Sequence, residues 1–242
     1  MKYMNKEICI ITCHGFTGYP EEMNPLGAYL QTKGYVWKNL QLPGHGTTPE
    51  DLKDKTWRDW TSYVLNEVDK SLKKYNNQVV MAGLSLGGIL TLYTLINRPQ
   101  LKAGVVLATP VNAIGFFQGL FLKIPFLGFW MGGDSMGGVD ILDSNAKKGH
   151  RSYAKFHTNN AKSIAYLLKY VKKRINQITQ PILILHSKKD QIVDFENAHY
   201  IYNNVKSEKK ELKLVENSSH VLTKDYDKDL VFSNINEFLH GL

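Results

Sequence analysis

At 242 residues, 43% of them hydrophobic and 21% charged, the chain has material for one sizeable α/β domain and lacks the composition of a disordered or fibrous protein. Its formal net charge of +8 is spread along the sequence. The densest basic groups, Lys147-Lys148 near Arg151 and Lys169 with Lys172-Lys173-Arg174, read as solvated helix faces, so no nucleic-acid partner is expected, although the charge leaves room for peripheral contact with lipid surfaces.

Residues 7–13 (EICIITC) read as a buried strand ended by His14-Gly15. The two cysteines, Cys9 and Cys13, lie four apart on that strand, sharing a face but too distant along it to bridge. Two reduced thiols suit a cytoplasmic protein. The apolar run here is short and lacks a small-residue cleavage site, which predicts no secretory signal. No stretch of about 20 apolar residues predicts a membrane span.

Leu26, Tyr29 and Leu30 carry helical spacing within 21–33, with Pro25 in the first turn or ahead of it and Gly34 as the stop. Residues 35–42 form the next strand, followed by the turn-rich PGHGTTPEDLKD. Thr56 opens a long amphipathic helix with Trp57, Trp60, Val64, Leu65 and Val68 on one face. Strand 78–84 leads to Ser85, residues 86–97 read as a buried helix, and strand 101–108 follows. Residues 110–160, rich in Gly, Phe and Asn, break the alternation. It resumes with helix 160–174, strand 181–186, helix 194–204, strand 211–216 and a last helix from about Asp227. Such alternation predicts a parallel sheet covered on both faces, with the interruption as an insertion on that scaffold.

Three glycines crowd Ser85 in MAGLSLGGIL, although glycine costs roughly 0.5–1 kcal/mol against alanine inside helix or strand. Gly83-Leu84-Ser85-Leu86-Gly87 is G-x-S-x-G, set between an apolar strand and a buried helix, where a tight turn would lift the hydroxyl above the sheet. Gly88 would let the helix pack closely on the sheet. A serine needs a base, and the base needs an orienting carboxylate. His220, in a polar loop after the last strand, and Asp190, in a loop beyond another strand end, would rise at the same sheet edge. Asp194 is the rival carboxylate, better read as the cap of the next helix. For the developing oxyanion, the Leu86 N–H is one expected donor and Phe16 in HGFTG is placed to offer the other. His14 and His45 read as braces of their turns, and His186 as a buried neighbour of the Asp190 loop. His150, His157, His199 and His240 show no partner pattern. No metal-ligand spacing stands out, and the chemistry asks for no cofactor.

Together HGFTG, PGHG, GLSLGG, HSKKDQIVD and NSSHV resemble the bacterial carboxylesterase and monoacylglycerol lipase family of the α/β-hydrolase superfamily, over residues 7–109 and 175–240. The resemblance implies an α/β-hydrolase fold: a mostly parallel central sheet with helices on both faces, its core at 1–109 and 171–242, and a small cap at 110–170. Carried over by motif, the family's triad falls on Ser85, Asp190 and His220, and its oxyanion hole on the backbone N–H groups of Phe16 and Leu86. Dehalogenase and epoxide-hydrolase chemistry is disfavoured, because those relatives place aspartate where Ser85 stands.

The cap would select the substrate. Phe116, Phe117, Phe121, Phe126, Phe129 and Trp130 either pack it onto the core or line an acyl pocket, and burial worth about 0.8 kcal/mol per CH₂ favours hydrophobic acyl groups. The glycines of 132–140 suit a hinge. The expectation is a serine hydrolase of short-to-medium acyl esters or monoacylglycerols. Thioester, feruloyl-type ester or C–C hydrolysis with the same triad is the enzymatic alternative. A non-catalytic binder with this fold and a basic nucleic-acid or membrane-surface protein are the others.

Overall fold

The run Cys9–Cys13 carries no charge, is buried at every position and forms strand β1 within the central sheet. Its side chains alternate as a strand's two-residue period requires: Cys9, Ile11 and Cys13 enter one hydrophobic cluster, Ile10 the cluster on the opposite face. Both cysteines are free thiols. The computed structural model describes residues 7–112, 129–132 and 140–242.

The other strands of the main sheet are β2 (Val36–Leu40), β3 (Val79–Leu84), β4 (Ala103–Leu107), β7 (Ile182–Ser187) and β8 (Lys210–Val215). They form a six-stranded sheet in the order β2-β1-β3-β4-β7-β8, with every neighbouring pair parallel. Between β4 and β7, β5 (Trp130–Gly132) and β6 (Lys155–His157) make a separate antiparallel pair.

The helices of the described residues are α1 (Asn24–Thr32), α2 (Pro49–Lys53), α3 (Trp57–Lys74), α4 (Leu86–Asn97), α5 (Ser144–Lys148), α6 (Thr158–Lys172), α7 (Glu196–Asn204) and α8 (Lys228–His240). Helices α3, α4 and α6 pack against one another, and Trp60, Leu90 and Leu167 share the cluster of Ile11. On the other face Leu26 and Leu30 of α1 meet Phe232 and Phe238 of α8. This is the two-faced cover that alternating strands and helices predict. Among the described residues no helix is long and apolar enough to cross a membrane.

Local chemistry sets the boundaries. Thr56 and Asp59 close a capping box at the start of α3. Helix α6 starts at Thr158, ahead of the expected 160, because the His157 ring accepts the Asn159 N–H. Helix α7 starts at Glu196 because Asp194 takes the Glu196 N–H at 2.9 Å, the capping role expected of it. The turn-rich stretch after β2 contains α2, whose Thr48 hydroxyl accepts the Asp51 N–H. The β5–β6 pair was not anticipated: three-residue strands are too short to show a period.

From β1 the chain crosses to β2 on one side, and β3 then pairs on the other side of β1. Such a reversal opens a crevice at the carboxyl ends of the strands. The loop after β1 and the serine after β3 border that crevice.

Candidate active site

Ser85 follows β3 directly and has φ 55° and ψ −112°. A non-glycine residue in such a conformation costs on the order of 1–3 kcal/mol and persists only where its surroundings over-determine it. Here the Ser85 N–H donates to Leu107 O at 2.9 Å, so the strain is held by an extension of the sheet ladder. The glycines make the turn sterically feasible. A β-carbon at Gly83 would lie 2.0 Å from Gly87 O, and one at Gly87 2.2 Å from Cys13 O. At Gly88 it would lie 1.8 Å from the Thr109 hydroxyl, so helix and sheet do approach there as the sequence implied. Leu86 opens α4, where first-turn N–H groups lack helical acceptors and the helix dipole favours negative charge.

The strand ends β7 and β8 carry the acid and the imidazole. Asp190 Oδ1 accepts the N–H groups of Ile192 and Val193 at 2.9 and 2.8 Å, which fixes the carboxylate plane. Its Oδ2 meets His220 Nδ1 at 2.8 Å and His186 Nε2 at 3.1 Å. Burial alone would raise this carboxyl's pKa, but the charges and hydrogen bonds of His220 and His186 outweigh it and hold the group well below the usual carboxylate range. For His220 burial disfavours the charged ring, yet the Asp190 charge and hydrogen bond prevail, so its pKa is raised. With Nδ1–H donated to Asp190, Nε2 is the basic nitrogen.

A second carboxyl organises the His220 loop. Asp225 is fully buried. Its Oδ2 accepts the N–H of Ser219, the residue before His220, at 2.7 Å and that of Leu142 at 2.9 Å. Its Oδ1 accepts Asp143 and Tyr226 N–H groups, both at 2.9 Å. Asp140 adds a further tie by accepting the Gln191 N–H at 3.1 Å.

Across the crevice, the His14–Gly18 loop is held by uncharged groups. His14 Nε2 accepts the Leu42 N–H, which leaves Nδ1–H to donate to Gly15 O at 2.9 Å. Burial pushes this ring's pKa down to about 4, consistent with that neutral tautomer. His45 lies against it, ring centres 4.9 Å apart, and burial pushes its pKa down to about 3. Both histidines are the braces that the sequence suggested. The Gly15 N–H donates to Glu22 Oε2 at 2.9 Å, and Glu22 Oε1 lies 3.4 Å from His150 Nε2. Burial pushes Glu22 up to about 7 and His150 down to about 4, so between those values this contact joins two neutral groups. Gly15 also abuts the serine: a β-carbon there would lie 3.5 Å from Ser85 Cβ.

Residues 10–232 match the model of the alpha/beta hydrolase family. The chain belongs to this family. As an alpha/beta hydrolase it is 33% identical over 239 residues to a thermostable monoacylglycerol lipase of Bacillus sp. (strain H-257), covering 97% of this chain and 91% of that protein. It is 28% identical to a carboxylesterase of Bacillus subtilis (strain 168), covering 96% and 92%. A solved structure reported with two metagenome-derived lipolytic enzymes superposes with a TM-score of 0.87 at 27% identity, over 98% of this chain and 95% of that one.

Within this hydrolase the sequence-predicted residues fall in distinct places. Asp190 and His220 are in direct contact, and Ser85, Leu86 and Phe16 border the crevice. The Phe16 ring packs between His45, Trp60 and Phe156. Phe116, Phe117, Phe121 and Phe126, and most of the glycine-rich 132–140 stretch, lie outside the described residues. Phe129 and Trp130 stand on the β5 side, 44% and 37% exposed. Trp130 meets His157 edge-on, lies under Lys155 Nζ at 4.5 Å, and borders a groove of about 330 Å³ with Pro49, Met131 and Ala154. Two histidines without an expected partner have one: His150 meets Glu22, and His157 caps α6. Glu22 and Asp225 carried no local signal, since each becomes a buried acceptor only when distant loops converge. Among the described residues no cluster of His, Cys, Asp and Glu could hold a metal ion.

Proposed function

We propose that this chain hydrolyses carboxylic esters through an acyl-enzyme on Ser85. His220 Nε2 takes the hydroxyl proton as Ser85 Oγ bonds to the ester carbonyl carbon. The N–H groups of Phe16 and Leu86 stabilise the resulting oxyanion, each donor of this kind being worth roughly 100–1,000-fold in rate. His220 then protonates the leaving alcohol, and the C–O bond breaks. Water enters, gives a proton to His220 and attacks the acyl carbon, after which the proton returns to Ser85 as the acid departs. Asp190 keeps the imidazole in the required tautomer and stabilises its charge.

The reading is supported chiefly by two features of one parallel sheet: a strained serine at the strand–helix turn after β3, and, in the loops after β7 and β8, a histidine bonded through Nδ1 to a buried carboxylate at 2.8 Å. The kinship with a monoacylglycerol lipase and a carboxylesterase supports esters of hydrophobic, short-to-medium acyl groups or monoacylglycerols as substrates. Residues 110–170 would serve as the cap that receives the acyl chain, and the cytoplasm as the site of action. Ser85→Ala is expected to abolish p-nitrophenyl butyrate hydrolysis and fluorophosphonate labelling. Substantial activity in the pure, folded variant would overturn the proposal.

A further inference from the structure

We propose that Glu22 is a positioning residue for the oxyanion hole: its buried carboxyl holds the Gly15 end of the His14–Gly18 loop and thereby sets where the Phe16 N–H points. The inference rests on the reading of Phe16 as an oxyanion donor.

Three sets of contacts carry it. First, one carboxyl oxygen takes the Gly15 N–H at 2.9 Å, one peptide before the Phe16 N–H. Rotating the next peptide, which carries the Phe16 N–H, would break the bond from His14 Nδ1 to Gly15 O, so Glu22 and His14 hold the two peptides on either side of Gly15. Second, the carboxyl fills the inner side of the loop. A β-carbon at Gly18 would fall 2.2 Å from Glu22 Oε1, which leaves no space for the loop to settle inward. Third, Glu22 is itself fixed. Its N–H donates to Tyr19 O at 3.0 Å, and its carbonyl accepts the Thr223 hydroxyl at 2.6 Å, just beyond His220. One residue therefore spans the loop that would hold the oxyanion and the loop that carries the base.

The outer side of the loop is clamped by the segment that supplies His150. The Tyr153 N–H donates to Thr17 O at 2.8 Å, Gly18 and Ser152 form an isolated antiparallel bridge, and the Tyr153 hydroxyl donates to Gly44 O at 3.0 Å. Backbone bonds can hold the loop against this segment, but they leave the inward-facing Gly15 N–H to Glu22. An N–H that lost its acceptor in this buried place would turn to find another, and a displacement of about 1 Å at a reacting centre can cost on the order of 100-fold in rate.

The test compares three variants of the full chain with p-nitrophenyl butyrate as substrate and an alkyl boronic acid as inhibitor. The tetrahedral boronate adduct of a catalytic serine presents an oxygen to the oxyanion hole. Glu22→Ala and Glu22→Met remove the acceptor, the latter keeping most of the volume, and either one suffices if the other does not fold. Each is expected to lower kcat by about 10- to 100-fold with KM within about twofold, and to weaken the boronic acid in parallel. Glu22→Gln, which keeps an oxygen for Gly15 and can donate to His150, should restore kcat to within about threefold of the parent. A kcat preserved in a folded Ala or Met variant would overturn the inference. So would a loss carried by KM, or a Gln variant as impaired as Met. If the parent protein neither hydrolyses the ester nor labels at Ser85, the esterase reading itself fails. If it does both while the Glu22 variants behave like the parent, only the role of Glu22 fails.

Discussion

On one side of Ser85, the loops after β7 and β8 are gathered by Asp190, whose pKa is depressed by the imidazoles it holds, and by Asp225, which takes four backbone N–H groups. On the other side, the loop after β1 is gathered by His14 and His45, both held neutral by burial, and by Glu22, whose ionisation burial opposes. The contrast follows from what each side would do during catalysis. A base that becomes an imidazolium is helped by a fixed negative charge. A hole that receives an oxyanion needs donors, and a full negative charge behind them would work against it. Burial keeps Glu22 mostly uncharged below its pKa of about 7, so on that side of neutrality the loop gains an acceptor at little electrostatic cost to the proposed hole.

The largest expected effect lies on the charged side. In Asp190→Asn the remaining oxygen can still accept the Ile192 and Val193 N–H groups, but an NH₂ group then faces two imidazole N–H groups. His220 must turn or change tautomer, leaving Nδ1 rather than Nε2 as its basic nitrogen. The value of kcat should drop by about 10³–10⁴, and the thermal melt should also fall, because the carboxylate charge that the variant removes stabilises the fold. A fall of less than tenfold would break the comparison, since it would mean that the fixed negative charge does not serve the base.

Asp225→Ala tests the same side through stability. It removes the acceptor of the Leu142, Asp143, Ser219 and Tyr226 N–H groups; the Ser219 bond is buried, where an unsatisfied donor costs about 1–3 kcal/mol, and the other three are partly buried and cost less each. With partial relief from water entering the void, the loss should be on the order of 4 kcal/mol by urea unfolding, with hydrolysis reduced because Ser219 leads directly into His220. A loss below about 1 kcal/mol would show that the loops hold together without this carboxyl.

How much of this was legible in the sequence divides along similar lines. The serine turn was legible because all of its signals are local: an apolar strand, three small residues at fixed offsets and an apolar helix. Asp190 and His220 were legible because loop residues just past strand ends must meet at one rim of a parallel sheet. His14 and His45 were legible as braces because their turns demanded partners. Glu22 and His150 were not, since they lie far apart along the chain and neither neighbourhood distinguishes a buried group from a solvated one. The β5–β6 pair was missed because strands of three residues, one of them ending in Gly132, show no periodicity. Its Trp130 and Phe129, expected to pack the cap or line a pocket, are more than a third exposed.

The smallest effect belongs to the neutral side and concerns the pH dependence of stability. Glu22 titrates at about 7 in the folded protein against an ordinary value near 4.5, so its contribution is fully present below about 4.5 and is lost as pH rises to about 7. Gln at this position keeps an acceptor and never ionises. The charged and titratable groups facing the carboxyl are Glu21 on its own turn, His220 and Lys224 on the loop after β8, and the His150 ring, neutral above about 4, on the segment after α5; all remain in the variant. The stability of Glu22→Gln relative to the parent should therefore climb across that window by up to roughly 3 kcal/mol and then level off above it. Thermal melts of the two proteins from pH 5 to pH 8.5 measure the difference directly. A gap that stays flat across the window would mean that Glu22 ionises as freely as a surface carboxyl, and both sides of the site would then be held by charge.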